Sequence, residues 1–217
     1  MFLGHDAVGF ASKRVAPRTS LGILMAAPLL LDLLWPVFLL LGIEKVVVVE
    51  SPSPFLRLEF VSYPWSHSLV MSVVWGVLFG GGYWLVTRYG RGAVVIAIGV
   101  VSHWVFDWMT HRPDMPLWPG GPKVGLDLWS SPAATIAIES LLFVAGIAIY
   151  LRRTRARDRI GSVACWAFIL FLAAAYLASI LGPPPPSPKA IAIGALTLWL
   201  LPFWAAWFDR HREAVAD

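Results

Sequence analysis

A segment with ionisable side chains at helical spacing is the part of this sequence best suited to chemistry. His103, Asp107 and His111 follow one another at intervals of four residues. If the segment is a helix, the three side chains lie above one another, each rotated about 40° from the last. One helix face then presents an imidazole, a carboxylate and a second imidazole. These groups are the ligands of catalytic zinc and related divalent ions.

The composition indicates that this helix lies in a membrane. Hydrophobic residues make up 58% of the chain and charged residues 14%, whereas soluble proteins average about 25% charged residues. Six apolar segments each approach the ~20 residues that cross a bilayer. They are Leu21 to Ile43, Ser68 to Val86, Ala93 to Thr110, Ala133 to Leu151, Val163 to Leu181 and Ala190 to Phe208. We therefore expect an all-α, polytopic membrane bundle of about six transmembrane helices, with a short N-terminal helix that is interfacial or dips into the bilayer.

Several ionisable residues fall at matching depths in these segments. Asp32 lies ~17 Å into the first span and His103 ~15 Å into the third from the same side, so they are level. His67 begins the second span at its outer end, near the expected level of His111. His5 can join them only if the apolar tip, Met1 to Gly4, dips into the bilayer while Lys13 and Arg14 stay at the surface. Ionisable groups in the membrane are costly and by default indicate function.

The candidate metal ligands outnumber those that one zinc ion requires. They are His5, Asp32, His67, His103, Asp107 and His111. Because one ion takes three or four ligands, either two ions bind or some of these side chains orient the others. Asp107 could do either. A hydrogen-bonded packing role is the alternative for a single buried histidine, but three ionisable groups on one helix face favour a site.

Other acidic residues are assigned by their positions in the chain. Glu139, seven residues into the fourth span, could be a metal ligand, a general base or the partner of an arginine. Asp6, Asp114 and Asp127 are expected near the membrane surfaces as solvated or capping residues. Cys165 lies in a predicted span without a possible disulfide partner, so a packing role is expected.

The basic residues predict the orientation in the membrane. Of the 17 lysines and arginines, twelve fall in the terminal segments and in the connections near 87–92 and 152–162, and five fall in the other connections. The positive-inside rule then places both termini in the cytoplasm. The formal charge of +4 is explained by this partition, so no nucleic-acid partner is expected. The start of the chain lacks the pattern of a cleaved signal peptide and is expected to remain.

The connections between spans also carry local signals. The segment from Glu44 to Trp65 contains four consecutive valines followed by proline and serine, which favours a short strand or hairpin on the outer face. Pro113 disfavours helical geometry at Arg112, so the third helix should end at about His111. Three consecutive glycines starting at Gly80 favour close helix packing.

Four motifs occur in order within about the first 120 residues. They are His5 after Gly4, Asp32 ending an apolar run, Trp65-Ser66-His67-Ser68, and His103-x-x-x-Asp107-x-x-Thr110 leading to Pro116-Leu117-Trp118-Pro119. This series resembles a family of bacterial inner-membrane metal-dependent hydrolases that includes LexA-regulated members. The resemblance implies a multi-helix inner-membrane protein with a divalent metal, zinc being the first expectation. Relatives carry an Asp-x-Asp-His run where this chain has Asp32-Leu33-Leu34-Trp35, which leaves fewer ligands here.

Two classes of function fit these observations. The first is a membrane-embedded metal-dependent hydrolase that uses Asp107 and Glu139 catalytically on a lipid-like or amphipathic ester or phosphoester, with membrane lipids as its surroundings. The second is a permease with an intramembrane His/Asp path for protons or metal ions. A scaffold with a structural metal is a third possibility. The absence of repeated halves favours the enzyme. We expect a single membrane domain over 1–217, with the site in 1–120 and mainly scaffold helices in 121–217.

Overall fold

The computed structural model describes residues 1–215 and is mainly helical. The helices are α1 (Leu3–Val15), α2 (Leu21–Leu40), α3 (Pro64–His67), α4 (Leu69–Thr87), α5 (Gly90–Thr110), α6 (Pro132–Arg153), α7 (Arg159–Leu181), α8 (Pro188–Ala195) and α9 (Leu200–Asp209). Short antiparallel strand pairs join β1 (Lys45–Val48) to β2 (Leu58–Ser62), β3 (Met115–Pro116) to β4 (Lys123–Val124) and β5 (Thr154–Ala156) to β6 (Arg212–Ala214). The predicted all-α polytopic bundle is confirmed.

Six helical segments within residues 1–215 are long and apolar enough to cross a membrane. Their ends agree with the predicted apolar segments to within about one helical turn. The last span is not one regular helix, because a 3-10 turn at Leu196–Trp199 separates α8 from α9. Large apolar side chains such as Val77 and Leu141 are exposed on the outside of the spans, as expected for a surface in contact with lipid.

The N-terminal helix α1 enters the bundle instead of lying on its surface. It packs against α6, α2 and α5, and its residues Leu3, His5 and Phe10 are buried. Gly146 on α6 allows this close approach, since a Cβ atom there would lie 2.6 Å from the carbonyl oxygen of Ala7. The prediction that Asp6 is a solvated surface residue is wrong, because the same packing buries its side chain to 2% exposure.

Small residues also hold α4 against α5. Gly76 and Gly80, one turn apart on α4, face the backbone of Ala97 and Ala93 on α5. A Cβ atom on Gly76 would lie 2.9 Å from the carbonyl oxygen of Ala97. This small-residue packing brings the two backbones together as in other membrane helix pairs. It fixes the position of α5, which carries His103 and Asp107.

The connection between α2 and α4 forms the predicted hairpin. Strands β1 and β2 pair antiparallel, and the chain then makes the short helix α3, which ends at His67. Ser68 begins α4 by accepting a hydrogen bond from the amide of Met71. The helix is therefore interrupted directly after His67, where Ser68 has an extended backbone. Helix α5 ends at Thr110 with His111 as its C-cap, in agreement with the effect predicted for Pro113.

A group of buried polar contacts holds the C-terminal end of α1. The ammonium of Lys13 contacts a carboxylate oxygen of Asp209 at 2.6 Å and donates to the carbonyl oxygen of Thr19 at 2.9 Å. Asp209 also accepts hydrogen bonds from the amide of Leu21 and the hydroxyl of Tyr150, both at 2.9 Å. We call this group the Asp209 clamp. It joins α1, α2, α6 and α9.

Helix α2 lies at the centre of the bundle because two of its faces are buried. Met25 and Leu29 pack in an apolar cluster with residues of α1, α6, α7 and α9. Leu31 and Trp35 pack in a second cluster with residues of α5 and the hairpin. Asp32 therefore lies on a helix that is packed mainly against apolar side chains. Pro28 and Pro36 lie within this helix.

Candidate metal centre

Four helices bring ionisable side chains to one place inside the bundle. α1 supplies His5, α2 supplies Asp32, α3 supplies His67, and α5 supplies His103 and Asp107. The histidines and Asp107 are at most 3% exposed, while the carboxylate of Asp32 is 31% exposed. Charged and polar groups that are this deeply buried need partners. Here the partners are mainly one another.

The donor atoms form two groups that share His103. His5, His103 and Asp107 make one group, and Asp32, His67 and His103 make the other; within each group the donor atoms lie within 4.8 Å of one another. The Nε2 atom of His103 is 3.0 Å from Asp107 Oδ2 and 3.2 Å from His67 Nε2. His67 Nε2 is 3.4 Å from Asp32 Oδ1. Both groups combine imidazole nitrogens with a carboxylate oxygen, which is the ligand set that zinc prefers.

The outward-facing nitrogens of three imidazoles are already hydrogen-bonded. The Nδ1 atom of His103 is 2.6 Å from the carbonyl oxygen of Pro28, and that of His67 is 2.6 Å from Ser66 Oγ. His111 Nδ1 is 3.0 Å from a carboxylate oxygen of Asp114. A carbonyl oxygen can only accept, so the proton of a neutral His103 is on Nδ1 and the lone pair of Nε2 faces the cluster. Such outer partners orient the histidine ligands of metal ions.

His5 enters the cluster through the burial of α1. Its ring stacks on that of His103 with the centroids 3.8 Å apart, and its Nε2 atom is 3.1 Å from Asp107 Oδ1. The amino group of Met1 also contacts Asp107. The start of the chain is thus buried in the bundle, as the expectation for His5 required. Lys13, which was expected to stay at the surface, is instead buried in the Asp209 clamp.

His111 lies at the edge of the cluster, outside the two donor groups. Its Nε2 atom is 3.8 Å from Asp107 Oδ2, and its ring packs against Phe60 and Trp129 with centroid distances of 4.9 and 4.1 Å. Burial lowers the pKa of His111, and the hydrogen bond to Asp114 opposes that shift only in part. The neutral imidazole is thus favoured, as a metal ligand requires.

Glu139 is fully buried beside the cluster, and its hydrogen-bond partners are backbone amides of α1 and the residue before it. One of its carboxylate oxygens accepts hydrogen bonds from the amides of Phe2 and Leu3 at 2.8 and 2.7 Å. Among the described residues no arginine is paired with Glu139, so that alternative is not found in the structure. Its other oxygen, Oε1, has no hydrogen-bond partner in the described part of the chain. Glu139 holds the start of α1, and with it His5, while keeping one oxygen uncommitted.

A cavity of about 280 Å³ adjoins the cluster. Its polar wall is formed by Asp32, His67, Asp107, His111 and Glu139. The remaining lining residues are Met1, Phe2, Trp35, Phe55, Leu58, Phe60, Trp129, Tyr176 and Ser179. The wall thus combines ionisable groups with aromatic and aliphatic surface. Residues of α6, α7 and the segment before α6 contribute to it, so the part of the chain after residue 120 shapes the cavity as well as supporting it.

Some of the residues that orient the cluster had little or no signal in the sequence. Ser66 lies in the motif that carries His67, and its small polar side chain was a hint. Glu44 reaches Ser66 from 22 positions earlier in the chain, and Pro28 contributes a backbone oxygen. Asp114 was predicted as a solvated or capping residue, and it instead contacts His111 and the hydroxyl of Tyr63. Only the tertiary structure joins these residues to the cluster.

The fold and the cluster together define a class, that of polytopic helical membrane proteins with a buried His/Asp site. The chain matches the sequence model of the YdjM inner membrane protein family over residues 57–182. It belongs to this family and is an inner-membrane protein, which confirms the resemblance seen in the sequence. The matched region includes His67, His103, Asp107, His111 and Glu139. No curated protein and no solved structure matches the chain.

Proposed function

We propose that the protein is a membrane-embedded metal-dependent hydrolase that acts on a lipid-like or amphipathic ester or phosphoester. One observation carries the proposal. Three imidazoles have their Nδ1 atoms hydrogen-bonded outward, while their Nε2 atoms all lie within 3.8 Å of the same Asp107 oxygen. A hydrogen-bonded packing role would not require the same nitrogen of each ring to face one point. Preorganisation of this kind is typical of metal sites.

The residues that would hold a divalent ion, with zinc as the first candidate, are His103, Asp107, His67 and Asp32. His5 and His111 flank them and would complete or support the site. When bound, such an ion lowers the pKa of water and stabilises negative charge on a carbonyl or phosphoryl oxygen. The six donors leave room for either one or two ions.

Two carboxylates are proposed to take part in the chemistry. Asp107 is within 3.8 Å of all four imidazoles of the cluster, so its carboxylate would stabilise the positive charge of an ion bound among them. Within residues 1–215, Glu139 Oε1 has no hydrogen-bond partner, while the other oxygen is held by two backbone amides. We assign Glu139 Oε1 as the atom that accepts or returns a proton during hydrolysis.

The cavity supports an amphipathic substrate. The ester or phosphoester would lie at the polar wall, near Asp32 and Asp107. The apolar part would lie against Trp35, Phe55 and Phe60, which line the same cavity. Access from the membrane suits such a molecule because its acyl or alkyl part stays in an apolar environment throughout.

Hydrolysis by purified protein tests this function. We expect turnover of at least one substrate in a panel of phospholipids, lipid phosphates and carboxylic esters. A chelator should abolish this turnover, and added Zn²⁺ or another divalent ion should restore it. The same protein in sealed vesicles should move neither protons nor metal ions. Transport without metal-dependent hydrolysis would refute the enzyme and support the permease.

The proposed orientation places both termini in the cytoplasm and the 111–132 connection outside. It is supported by the distribution of the lysines and arginines. Single cysteines at the exposed positions Lys123 and Arg155, in a Cys165→Ala background, provide the test. An impermeant thiol reagent applied to intact cells should label position 123 only, and permeabilised cells should be labelled at both positions. Labelling of intact cells at position 155 alone would show that the orientation is the opposite one.

A further inference from the structure

The short helix that carries His67 is held by a carboxylate from another part of the chain. Glu44 Oε1 accepts hydrogen bonds from the amides of Trp65 and Ser66 at 2.9 and 2.8 Å. Glu44 Oε2 accepts the hydroxyl proton of Ser66 at 2.6 Å. Both Glu44 and Ser66 are buried. The interaction thus satisfies two free amides at the start of α3 and also fixes the direction of the Ser66 hydroxyl.

The direction of that hydroxyl determines the protonation pattern of His67. A serine hydroxyl can donate only one hydrogen bond, and here it donates to the carboxylate of Glu44. Ser66 Oγ can then only accept from His67 Nδ1, which lies 2.6 Å away. The proton of a neutral His67 is therefore on Nδ1. The lone pair of Nε2 faces His103 and Asp32, at 3.2 and 3.4 Å.

We propose that Glu44 and Ser66 are positioning residues that fix the ring orientation and the tautomer of His67 for metal binding. This inference rests on the proposed metal centre. It assigns a role to Glu44, which lies outside the cluster and outside every motif in the sequence. If the pair served only to hold α3, the tautomer of His67 would not depend on it.

Two serines on either side of His67 give a matched comparison. Ser66→Ala removes the contact to His67 but leaves the two backbone amides bound to Glu44. Ser68→Ala removes the cap of α4 but leaves the contact to His67. Zn²⁺ or Co²⁺ titrations of the purified full chain should show a ~10 to 100-fold weaker affinity for Ser66→Ala, the usual effect of losing an orienting partner. Ser68→Ala should lower Tm and leave the affinity unchanged. Equal losses of affinity in the two variants would overturn the proposal.

Glu44→Gln tests the direction of the hydrogen bonds. The amide oxygen of the new side chain should stay on the two backbone amides, so its NH₂ group would face Ser66. The Ser66 hydroxyl would then donate to His67 Nδ1 and move the ring proton to Nε2, which blocks that atom as a ligand. We expect an affinity loss at least as large as that of Ser66→Ala. Glu59→Gln, at an exposed carboxylate on the hairpin, should have no effect.

A measurement without metal separates this inference from the proposed function. In ¹⁵N-histidine spectra of the metal-free protein, His67 should be protonated on Nδ1 in the wild type and on Nε2 in Glu44→Gln. If the wild-type chain binds no ion, the metal centre fails, yet the spectra still test the positioning role. If the spectra of His67 are the same in the wild type, Ser66→Ala and Glu44→Gln, the positioning role is refuted.

Discussion

His103→Ala is expected to abolish both metal binding and hydrolysis. His103 belongs to both donor groups, so an ion held by either group would lose a ligand. The remaining donors would also lose the ring on which His5 stacks. We therefore expect the loss of affinity to exceed the ~10 to 100-fold cost of losing an orienting residue. Metal analysis of the purified protein and assays on any substrate hydrolysed by the wild type provide the measurement.

His211→Ala is the matched control for this experiment. His211 is hydrogen-bonded to Asp158. Both side chains are partly exposed, and they are remote in sequence from the cluster. Its removal should leave the metal content and turnover unchanged. His103→Ala should retain the helical content of the wild type. Loss of one imidazole leaves a cavity but does not change the apolar segments that form the spans. If His103→Ala keeps the same metal content as His211→Ala, the cluster is a packing feature and the metal centre is refuted.

Of the substitutions proposed here, Asp209→Ala should cause the largest decrease in the free energy of unfolding. It removes the carboxylate that partners Lys13, Tyr150 and the amide of Leu21, and it leaves the Lys13 ammonium buried without an opposite charge. Breaking a buried ion pair from one side costs about 3–5 kcal/mol. The free energy of unfolding from reversible detergent titration, followed by circular dichroism, measures this change.

A double variant distinguishes the buried charge from general loss of packing. Lys13→Met combined with Asp209→Leu removes both charges and keeps apolar volume, so it should lose less stability than Asp209→Ala alone. Glu59→Ala, at an exposed position on the hairpin, should have an effect within about 0.5 kcal/mol. A double variant that is less stable than Asp209→Ala would show that the charges themselves do not determine the cost.

The Asp209 clamp also bears on the cluster through α1. This helix is held by Glu139 at its first residues and by Asp209 through Lys13 at its last turn. His5 lies between these anchors, on the part of α1 that packs against α5. Contacts at both ends of α1 therefore hold this helix in place, and with it His5.

The sequence by itself determined the membrane spans and the ionisable face of α5. Hydropathy reports the length of each apolar segment directly, and the four-residue spacing of His103 and Asp107 is a local property of a helix. The level of Asp32 with His103 followed from counting residues along two spans, since both helices rise by the same distance per residue. These features need no knowledge of which helices are neighbours.

Only the tertiary structure decided which groups complete and orient the cluster. His5 joins because α1 packs inside the bundle, and Asp6 is buried for the same reason. Glu44 meets Ser66, and Glu139 meets the start of α1, across long separations in the chain. Hydropathy and periodicity describe one segment at a time, so they carry no information about such contacts. These long-range contacts arise from helix packing, because each polar group that packing buries must find a partner.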